Sequence, residues 1–429
     1  MMKKIILLLL ISTPVFAQQS KSEKEKFQAF YKLASVENQE KQYNEMVKAN
    51  PIDPAKPSMY EEYRAQLATG WLSTGNFERY WYYKNTHPKF NPLQFLYLSY
   101  ALDHLLDEDK NMAELEKVSK GILDDLQNGV LSDGMGRTQP IMEVNAAANA
   151  KLGHTEAALE MIAKSSQVKD NMRDMRYFKD QKASYINRYG IVMLAAGKYQ
   201  AAFDTLSKAF KDAESNPAMV KTFMQAYKKW KGTEKGFEQY FKSLQEEAYR
   251  ECYAEVEKMY IAAPTTTLEG TFPKRKPEDE PMTLFRAKQP VKEISMVDLN
   301  GRTVKFGDYK GKVLALDFWS TGCTPCVAAF AGFDRAVADY KKDIFQLFVV
   351  DLFEDEATVK SFVAKKGIRL DVLRDEENKA YDVQGTPTKI IFDPLGNIRF
   401  YSSGYAGSTD REYYKLKSMV EITKARYKG

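Results

Sequence analysis

Two cysteines separated by two residues are the part of this sequence best suited to chemistry. The stretch "WSTGCTPC" runs from Trp319 to Cys326, and it holds Cys323 and Cys326, two of the three cysteines in the chain. A close pair of thiols can exchange electrons with another disulfide by forming and breaking an S–S bond. With one cysteine left over, this spacing favours redox chemistry over a framework of structural disulfides.

The residues around the pair predict a strand, then a loop, then a helix that begins at the first cysteine. A sulfur at a helix N-terminus lies among unpaired backbone amides, and both these amides and the helix dipole lower the pKa of the thiol. We therefore expect Cys323 to be an exposed nucleophile and Cys326, one turn later and facing inward, to be the resolving thiol. Pro325 stiffens the start of the helix and removes one amide donor.

Asp317 is a second candidate for chemistry. It lies in the apolar stretch "VLALDFW", where a carboxylate is costly unless it is paired or functional. Burial would raise the pKa of Asp317 and suit it to relay a proton to or from Cys326. The alternative is an aspartate at a strand end whose carboxylate reaches solvent.

The stretch "GTPT" is a third candidate. Thr386 and Pro387 precede the apolar stretch "TKIIFD", and a proline there favours a tight turn that is compatible with a cis bond. A cis-proline near the cysteines would leave the backbone of Thr386 free to pair with an extended substrate, as an added strand would. A Thr-Pro before a strand is weak on its own and gains weight beside the other residues.

Together, "LALDFWSTGCTPC" and "YDVQGTPTKIIFDPLGNI" resemble the thioredoxin superfamily, and most closely the exported thiol–disulfide oxidoreductases of the TlpA/ResA type. The resemblance covers roughly residues 291–429 and implies a thioredoxin fold. The active-site residues that it implies are Cys323 as nucleophile, Cys326 as resolving cysteine, Asp317 as buried acid and Pro387 as cis-proline. We further predict that Asp317 relays a proton and that Trp319, Thr386 and Pro387 bind the substrate.

Three positions depart from the pattern of that family. Gly322 stands where the family usually carries a tryptophan, which should uncover Cys323 and loosen the loop. Ala329 replaces a glutamate that often follows the second cysteine by three residues, and Ala331 replaces a proline that commonly kinks the helix. Acid–base tuning should therefore rest more heavily on Asp317.

Other uses of the cysteine pair fit less well. A zinc site needs two more cysteine or histidine ligands, and the three histidines all lie in the N-terminal region. A structural disulfide inside "CTPC" closes too short a loop to stabilise much. A peroxide-reducing enzyme has a related fold, but its cysteine follows a proline and a threonine, and only Thr321 is present. We expect neither a metal nor another cofactor.

Residues 20–262 are predicted to be helical throughout, because apolar residues recur at spacings of three and four between short breaks such as Gly70 and Gly75. The stretch "GIVMLAAGKYQAAFDTLSKAF", which begins at Gly190, resembles the tetratricopeptide repeat (TPR), in which small residues let two antiparallel helices approach closely. We predict degenerate TPR-like helical hairpins that offer either a concave partner-binding surface or no groove in use. Cys252 lies on the apolar stripe of a long helix at 233–261 and is predicted to be a buried, inert thiol.

The prolines and charges of residues 263–290 predict an extended, exposed connector. Residues 291–429 alternate predicted strands and helices, including a hairpin that turns at Asn300-Gly301, and we expect a central sheet with helices on both faces. The predicted fold class is two-domain, with an N-terminal all-α domain and a C-terminal α/β thioredoxin-like domain.

The N-terminus "MMKKIILLLLISTPVFAQQ" fits a secretory signal peptide, residues 1–17, cleaved after Ala17, with an uncleaved anchor as the alternative. The chain has 429 residues and a formal charge of +5, which gives no ground for a nucleic-acid partner.

These features together predict a periplasmic or cell-envelope thiol–disulfide oxidoreductase. Its expected partners are a disulfide-containing protein substrate and an upstream thiol redox donor, together with a protein docked on the helical region if its concave surface is in use. The rival hypothesis is an adaptor, in which the helical region docks a protein complex and the thioredoxin-like domain is mainly a binding module.

Overall fold

The computed structural model describes residues 23–168, 178–274 and 276–427. The predicted signal peptide lies outside the described residues. Within them, no helix combines the length and the apolar character that crossing a lipid bilayer requires. The described chain is helical up to residue 257 and is built on β-strands and helices from residue 268 onward, which confirms the predicted fold class.

The N-terminal region consists of helices that pack mainly against their neighbours in sequence. Helical residues 23–31 come first. The helices that follow are α1 (Val36–Ala49), α2 (Glu61–Ser73), α3 (Phe77–Lys84), α4 (Pro92–Asp107), α5 (Met112–Gln127), α6 (Thr138–Lys151), α7 (Thr155–Ser165), α8 (Gln181–Ala195), α9 (Tyr199–Lys211), α10 (Met219–Lys231) and α11 (Phe237–Glu257).

Local sequence signals set several of these helix ends. Asn91 and Gln94 form a reciprocal capping box at the start of α4, and Pro92 occupies the first turn, where a missing amide is tolerated. Gly75 and Gly197 adopt positive φ values of 77° and 71° in the turns that follow α2 and α8. Glycine adopts this conformation without steric cost, so the next helix can fold back on the previous one.

Gly70 is not a helix break, contrary to the prediction. It lies inside α2, and a Cβ placed on it would be 2.7 Å from Cγ2 of Val36, so the missing side chain lets α1 pack closely on α2. Gly190 in α8 permits the close approach that the sequence predicts, because its Cβ would be 3.0 Å from Cδ1 of Leu206 in α9. Helices α8 and α9 therefore form a tight hairpin, while its assignment to the tetratricopeptide class stays a prediction.

The C-terminal domain is built on a mixed seven-stranded sheet with the strand order β4-β3-β7-β6-β5-β8-β9, preceded by a separate two-stranded hairpin of β1 and β2. The strands are β1 (Leu268–Thr271), β2 (Thr283–Ala287), β3 (Ser295–Asp298), β4 (Thr303–Lys305), β5 (Val313–Trp319), β6 (Phe345–Leu352), β7 (Asp371–Asp375), β8 (Thr388–Phe392) and β9 (Ile398–Ser403). The helices are α12 (Thr324–Ala338), α13 (Glu356–Lys366) and α14 (Thr409–Arg426).

Residues 263–290 do not form the extended, exposed connector that their prolines predict. Strands β1 and β2 pair antiparallel within this segment, and Leu284 and Phe285 have no exposed surface. The amide of Gln384 also donates a hydrogen bond to the carbonyl of Leu284 at 2.8 Å. The apolar side chains of β2 thus pack the hairpin onto the sheet. Residues between the two strands, such as 276–278, remain exposed.

Three helices cover one face of the sheet, whereas the prediction placed helices on both faces. The units β5–α12–β6 and β6–α13–β7 carry the chain across the sheet in the same direction. Because parallel crossovers of this kind are right-handed, both place their helix on the same face. Helix α14 packs beside α12. The opposite face is covered by the β1–β2 hairpin, the 3-10 turns Val291–Glu293 and Phe306–Tyr309, and residues 380–383.

The two regions share a buried polar interface at the start of α14. Asp180, from the helical region, accepts hydrogen bonds from the amide and the hydroxyl of Thr409 at 2.5 and 2.7 Å. The hydroxyl of Ser215 donates to Asp410 at 2.5 Å. The first turn of α14 is thus bound by residues of the helical region.

Helix α11 continues this interface along α14. Cys252 of α11 is 2% exposed and packs in an apolar cluster with Tyr414 of α14. Burial raises the pKa of the Cys252 thiol, which disfavours the reactive thiolate. The predicted burial of Cys252 is confirmed.

Candidate active site

The cysteine pair forms a disulfide where β5 leads into α12. Strand β5 ends at Trp319, and Cys323 is the N-cap residue of α12. The Cα atoms of the bonded Cys323 and Cys326 are 5.3 Å apart, and the amide of Cys326 donates to the carbonyl of Cys323 at 3.1 Å. The first sulfur thus lies at the helix N-terminus, and the domain is in its oxidised state.

Cys323 is less exposed than the sequence predicts. It is 8% exposed and Cys326 is fully buried. A Cβ on Gly322 would meet no atom within 4 Å, so the space left by the missing tryptophan is open. Cys323 is nonetheless covered, because it packs in the buried cluster that also holds Cys326 and Tyr405. The prediction of an exposed nucleophile is therefore wrong for this oxidised state.

Asp317 points to the face of the sheet that carries α12. Alternate residues of a strand face the same side, and Ala315 and Trp319 belong to the apolar cluster that holds the cysteines. Asp317 is 1% exposed, which excludes the solvent-reaching alternative, and its Oδ2 has no hydrogen-bond partner among the described residues. Burial raises the pKa of Asp317 to about 7, while Lys389 lowers it and Glu412 raises it.

The Thr386–Pro387 peptide bond is cis. The carbonyl of Pro387 accepts a hydrogen bond from the amide of Gly404 at 3.0 Å, which ties this loop to the end of β9. Phe272 borders the loop on the other side, because a Cβ on Gly385 would be 2.7 Å from Cζ of its ring. Thr386 is partly exposed and Pro387 is buried, so Thr386 is the residue of the two that a bound chain can reach.

Trp319 offers no surface to a substrate in this structure. It has no exposed area, and its ring centroid lies 5.1 Å from that of Phe330 in α12 and 5.8 Å from that of Phe362 in α13. The expectation that Trp319 binds substrate is wrong here because β5 is buried along its whole length. Its indole instead packs between the sheet and the two helices, against Phe330 of α12 and Phe362 of α13.

The sequence analysis missed two neighbouring acids, Asp351 and Glu354, and Glu354 binds the loop before the cysteines. Glu354 accepts a hydrogen bond from the amide of Thr321 at 2.6 Å and another from the Thr321 hydroxyl. Asp351 has no exposed surface, and burial together with the neighbouring Glu354 raises the pKa of Asp351 to about 9. The signal was available, because Asp351 stands in the apolar strand β6 as Asp317 stands in β5.

The helical region forms a wall near the disulfide. One cavity of about 690 Å³ lies between α4 and α12 and reaches Thr324. A second cavity of about 730 Å³ reaches Thr321 and Gly322. Lys366 of α13 and Tyr97 of α4 line both cavities, and the ammonium of Lys366 lies 3.8 Å from the ring centroid of Tyr97. Residues of both regions therefore line the two cavities beside the cysteine loop.

The arrangement is suited to dithiol–disulfide exchange assisted by a buried acid. Among the described residues, no group of three histidine, cysteine, aspartate or glutamate side chains is placed to hold a metal ion. The candidate reactive atoms are the two sulfurs, and Asp317 lies on the face of the sheet toward which they are packed.

Known proteins resemble the C-terminal domain. The AhpC/TSA family model matches residues 287–401. The thiol-disulfide oxidoreductase ResA of Bacillus subtilis (strain 168) is 28% identical over 124 residues, which are 27% of this chain and 69% of that protein. ResA of Halalkalibacterium halodurans is 26% identical over 138 residues, 31% of this chain and 78% of that protein.

Among solved structures, the thioredoxin domain of a thiol-disulfide oxidoreductase from Bacteroides vulgatus is 23% identical, with a TM-score of 0.26, and the match covers 30% of this chain and 92% of that one. The family model and the two curated relatives confirm the resemblance that the cysteine and proline motifs indicate.

Proposed function

We propose that this protein, whose C-terminal domain is a thioredoxin-fold domain of the thiol–disulfide oxidoreductase type, reduces disulfides in exported protein substrates. One observation carries the proposal. The Cys323–Cys326 disulfide closes at the N-terminus of α12, and the buried Asp317 faces the same side of the sheet.

The reaction begins from the reduced pair. The thiolate of Cys323 attacks one sulfur of the substrate disulfide, forms a mixed disulfide and releases the other substrate sulfur as a thiolate. Cys326 then gives its proton to Asp317 and attacks Sγ of Cys323, which releases the second substrate sulfur. Two electrons have passed to the substrate, and the protein is left with the disulfide of this structure. An upstream dithiol donor must reduce it again.

The neighbouring residues support these steps. The positive end of α12 stabilises the thiolate of Cys323, so that it reacts as a nucleophile and leaves readily. An acid whose pKa lies near 7 can both accept and release a proton at neutral pH, and the pKa of Asp317 is about 7. Thr386 and Pro387 are proposed to bind the substrate chain beside the disulfide.

The proposed location is the periplasm or the cell envelope. Its support is the predicted signal peptide at residues 1–17, whose charged start, short apolar run and small residues before the cut are typical of export. N-terminal sequencing of the protein recovered from its native host tests this, since the mature chain should begin at Gln18. A chain that keeps Met1 would contradict cleavage.

Trapping variants test the roles of the two sulfurs. In an insulin-reduction assay we expect the wild type to be active and both Cys323→Ser and Cys326→Ser to be inactive. Cys326→Ser should accumulate mixed disulfides through Cys323, because the resolving thiol is missing, whereas Cys323→Ser should accumulate none. The readout is a non-reducing gel followed by mass spectrometry.

Cys252→Ser is the matched control for these variants, because Cys252 is the remaining thiol and is buried in α11. It should reduce insulin like the wild type and trap nothing. Equal trapping by Cys323→Ser and Cys326→Ser would reject the assigned roles. An inactive wild type with both thiols free would favour the adaptor hypothesis.

A further inference from the structure

A buried ion pair lies beside Asp317. Lys389 of β8 stands directly opposite Asp317 in the antiparallel pairing of β5 with β8, so the two side chains share a face of the sheet. The ammonium of Lys389 is 2.5 Å from Oε1 of Glu412 in α14, and these two side chains are 7% and 3% exposed. Charges buried to this degree persist only when each has a partner.

Glu412 reaches this position because α12 and α14 cross closely at Gly332. A Cβ on Gly332 would be 2.8 Å from Cβ of Glu412, so only glycine leaves room for the crossing. The second oxygen of Glu412 accepts a hydrogen bond from the amide of Ala406 at 2.9 Å. Two donors from different elements thus hold the carboxylate, while Ala329 leaves α12 without an acid of its own one turn before Gly332.

The pair acts on Asp317 in two opposing ways. The positive charge of Lys389 favours the ionised form of Asp317, and the negative charge of Glu412 disfavours it. On its other side, in β6, Asp317 pairs with Val349, which does not titrate. Other titratable groups near this cluster include Lys415 and Tyr405, whose pKa values Glu412 raises, and Asp180, which accepts a hydrogen bond from the Tyr405 hydroxyl.

We infer that Lys389 and Glu412 are positioning residues that set the charge of Asp317 and, through it, the pH range in which Cys326 is activated. The inference rests on the proposed function, in which Asp317 accepts the proton of Cys326. Without Glu412, Asp317 is the acid that remains beside the ammonium of Lys389, and this positive charge favours the ionised form of Asp317. Without Lys389, Asp317 faces Glu412 alone and keeps its proton.

The titration of Asp317 tests the inference directly, and it can be followed by NMR of ¹³C-labelled aspartate carboxyls in the oxidised full-length protein. Asp317→Asn identifies the resonance. Glu412→Gln, which keeps an oxygen for the Ala406 amide, should lower the apparent pKa of Asp317 by about one unit, and Lys389→Met should raise it by about one unit. A purely structural role of the pair does not produce shifts of opposite sign.

Turnover provides the second readout. With a small disulfide as substrate, the pH–rate profile should move to lower pH in Glu412→Gln and to higher pH in Lys389→Met. At pH 7 we expect Lys389→Met to be about fivefold slower, because a pKa raised by about one unit leaves fewer Asp317 side chains ionised to accept the proton.

Glu421→Gln is the control variant, because Glu421 lies farther along α14 and its ion pair with Lys424 is about one-third exposed. It should leave the titration and the profile unchanged. If Lys389→Met does not fold, Glu412→Gln and the double variant Lys389→Met/Glu412→Gln decide the matter, since removing both charges should return the pKa of Asp317 toward its wild-type value.

An unshifted titration in Glu412→Gln, or shifts of the same sign in both single variants, would overturn the inference. A shifted titration with an unmoved rate profile would overturn the link to Cys326. A wild type that reduces no disulfide would reject the proposed function, a result that is separate from the titration because the NMR measurement needs no turnover.

Discussion

One buried site in each region of the molecule shows a different way of holding charged side chains. In the helical region, Arg188 is 3% exposed and lies 3.1 Å from Glu143 and 2.5 Å from Asp103. In the C-terminal domain, Asp317 is as deeply buried, yet its Oδ2 has no hydrogen-bond partner among the described residues. The first arrangement neutralises its charges, and the second leaves an acid whose protonation can change.

This difference separates structural from chemical uses of buried charge. A buried guanidinium between two carboxylates is held in one ionisation state and orients the helices that carry them. A buried carboxyl without such a partner can have a pKa near neutral pH, which is what the proposed proton transfer from Cys326 requires. Stability measurements on matched variants test this distinction.

The largest effect is expected for Arg188→Met in the helical region. The substitution leaves Glu143 and Asp103 without their shared cation, and breaking a buried pair in this way destabilises a protein by about 3–5 kcal/mol. Urea denaturation followed by circular dichroism measures the change. A loss below about 1 kcal/mol would show that the partners these carboxylates keep, such as Arg137 beside Asp103, are enough to hold them.

Asp317→Asn should have an effect of similar size and of the opposite sign. The pKa of Asp317 rises from an ordinary 3.8 to about 7 on folding, so between these values the folded state holds a proton that the unfolded state lacks. Stability therefore falls as pH rises from about 4 to about 7 and is then constant. A shift of about three pKa units corresponds to about 4 kcal/mol, so we expect the variant to be about 4 kcal/mol more stable than the wild type at pH 8 and equal to it at pH 4.

The same variant should reduce insulin more slowly near neutral pH while remaining folded. The stability difference between the oxidised wild type and the oxidised variant is measured by urea denaturation at pH 4 and at pH 8. A stability difference that does not change with pH would show that Asp317 does not titrate in this range.

The smallest effect is expected for Lys164→Met, which removes an ion pair on the surface of the helical region. Lys164 and Glu160 are 56% and 66% exposed, so solvent screens their attraction. The change in unfolding free energy should be too small for urea denaturation to resolve. A loss comparable to that of Arg188→Met would break the distinction between buried and exposed pairs.

Short-range sequence patterns predicted much of the catalytic domain. The hairpin at Asn300-Gly301, the apolar strand around Asp317 and the helix that begins after Cys323 are all present, because each depends on neighbouring residues. The burial of Cys252 followed from its position on an apolar helical stripe. Periodicity within one element is therefore a sufficient guide to which residues face the core.

Features that depend on contacts between distant segments were not predicted. Gly70 looked like a break because glycine disfavours helices, and only the position of Val36 explains it. Lys389 could have been noticed, since it interrupts an apolar strand as Asp317 does. Glu412 could not, because a glutamate in the first turn of a helix is ordinary and its burial depends on the crossing at Gly332.

The carboxylate of Asp180 has a consequence for how the chain folds as a whole. The first amides of a helix have no acceptor within that helix, and in α14 the amide of Thr409 is bound by Asp180 from the other region. One turn later in the same helix, the side chain of Glu412 forms the ion pair with Lys389 beside Asp317. A C-terminal domain produced from residue 263 onward would begin its last helix without this acceptor, so we expect it to be less stable alone than beside the helical region.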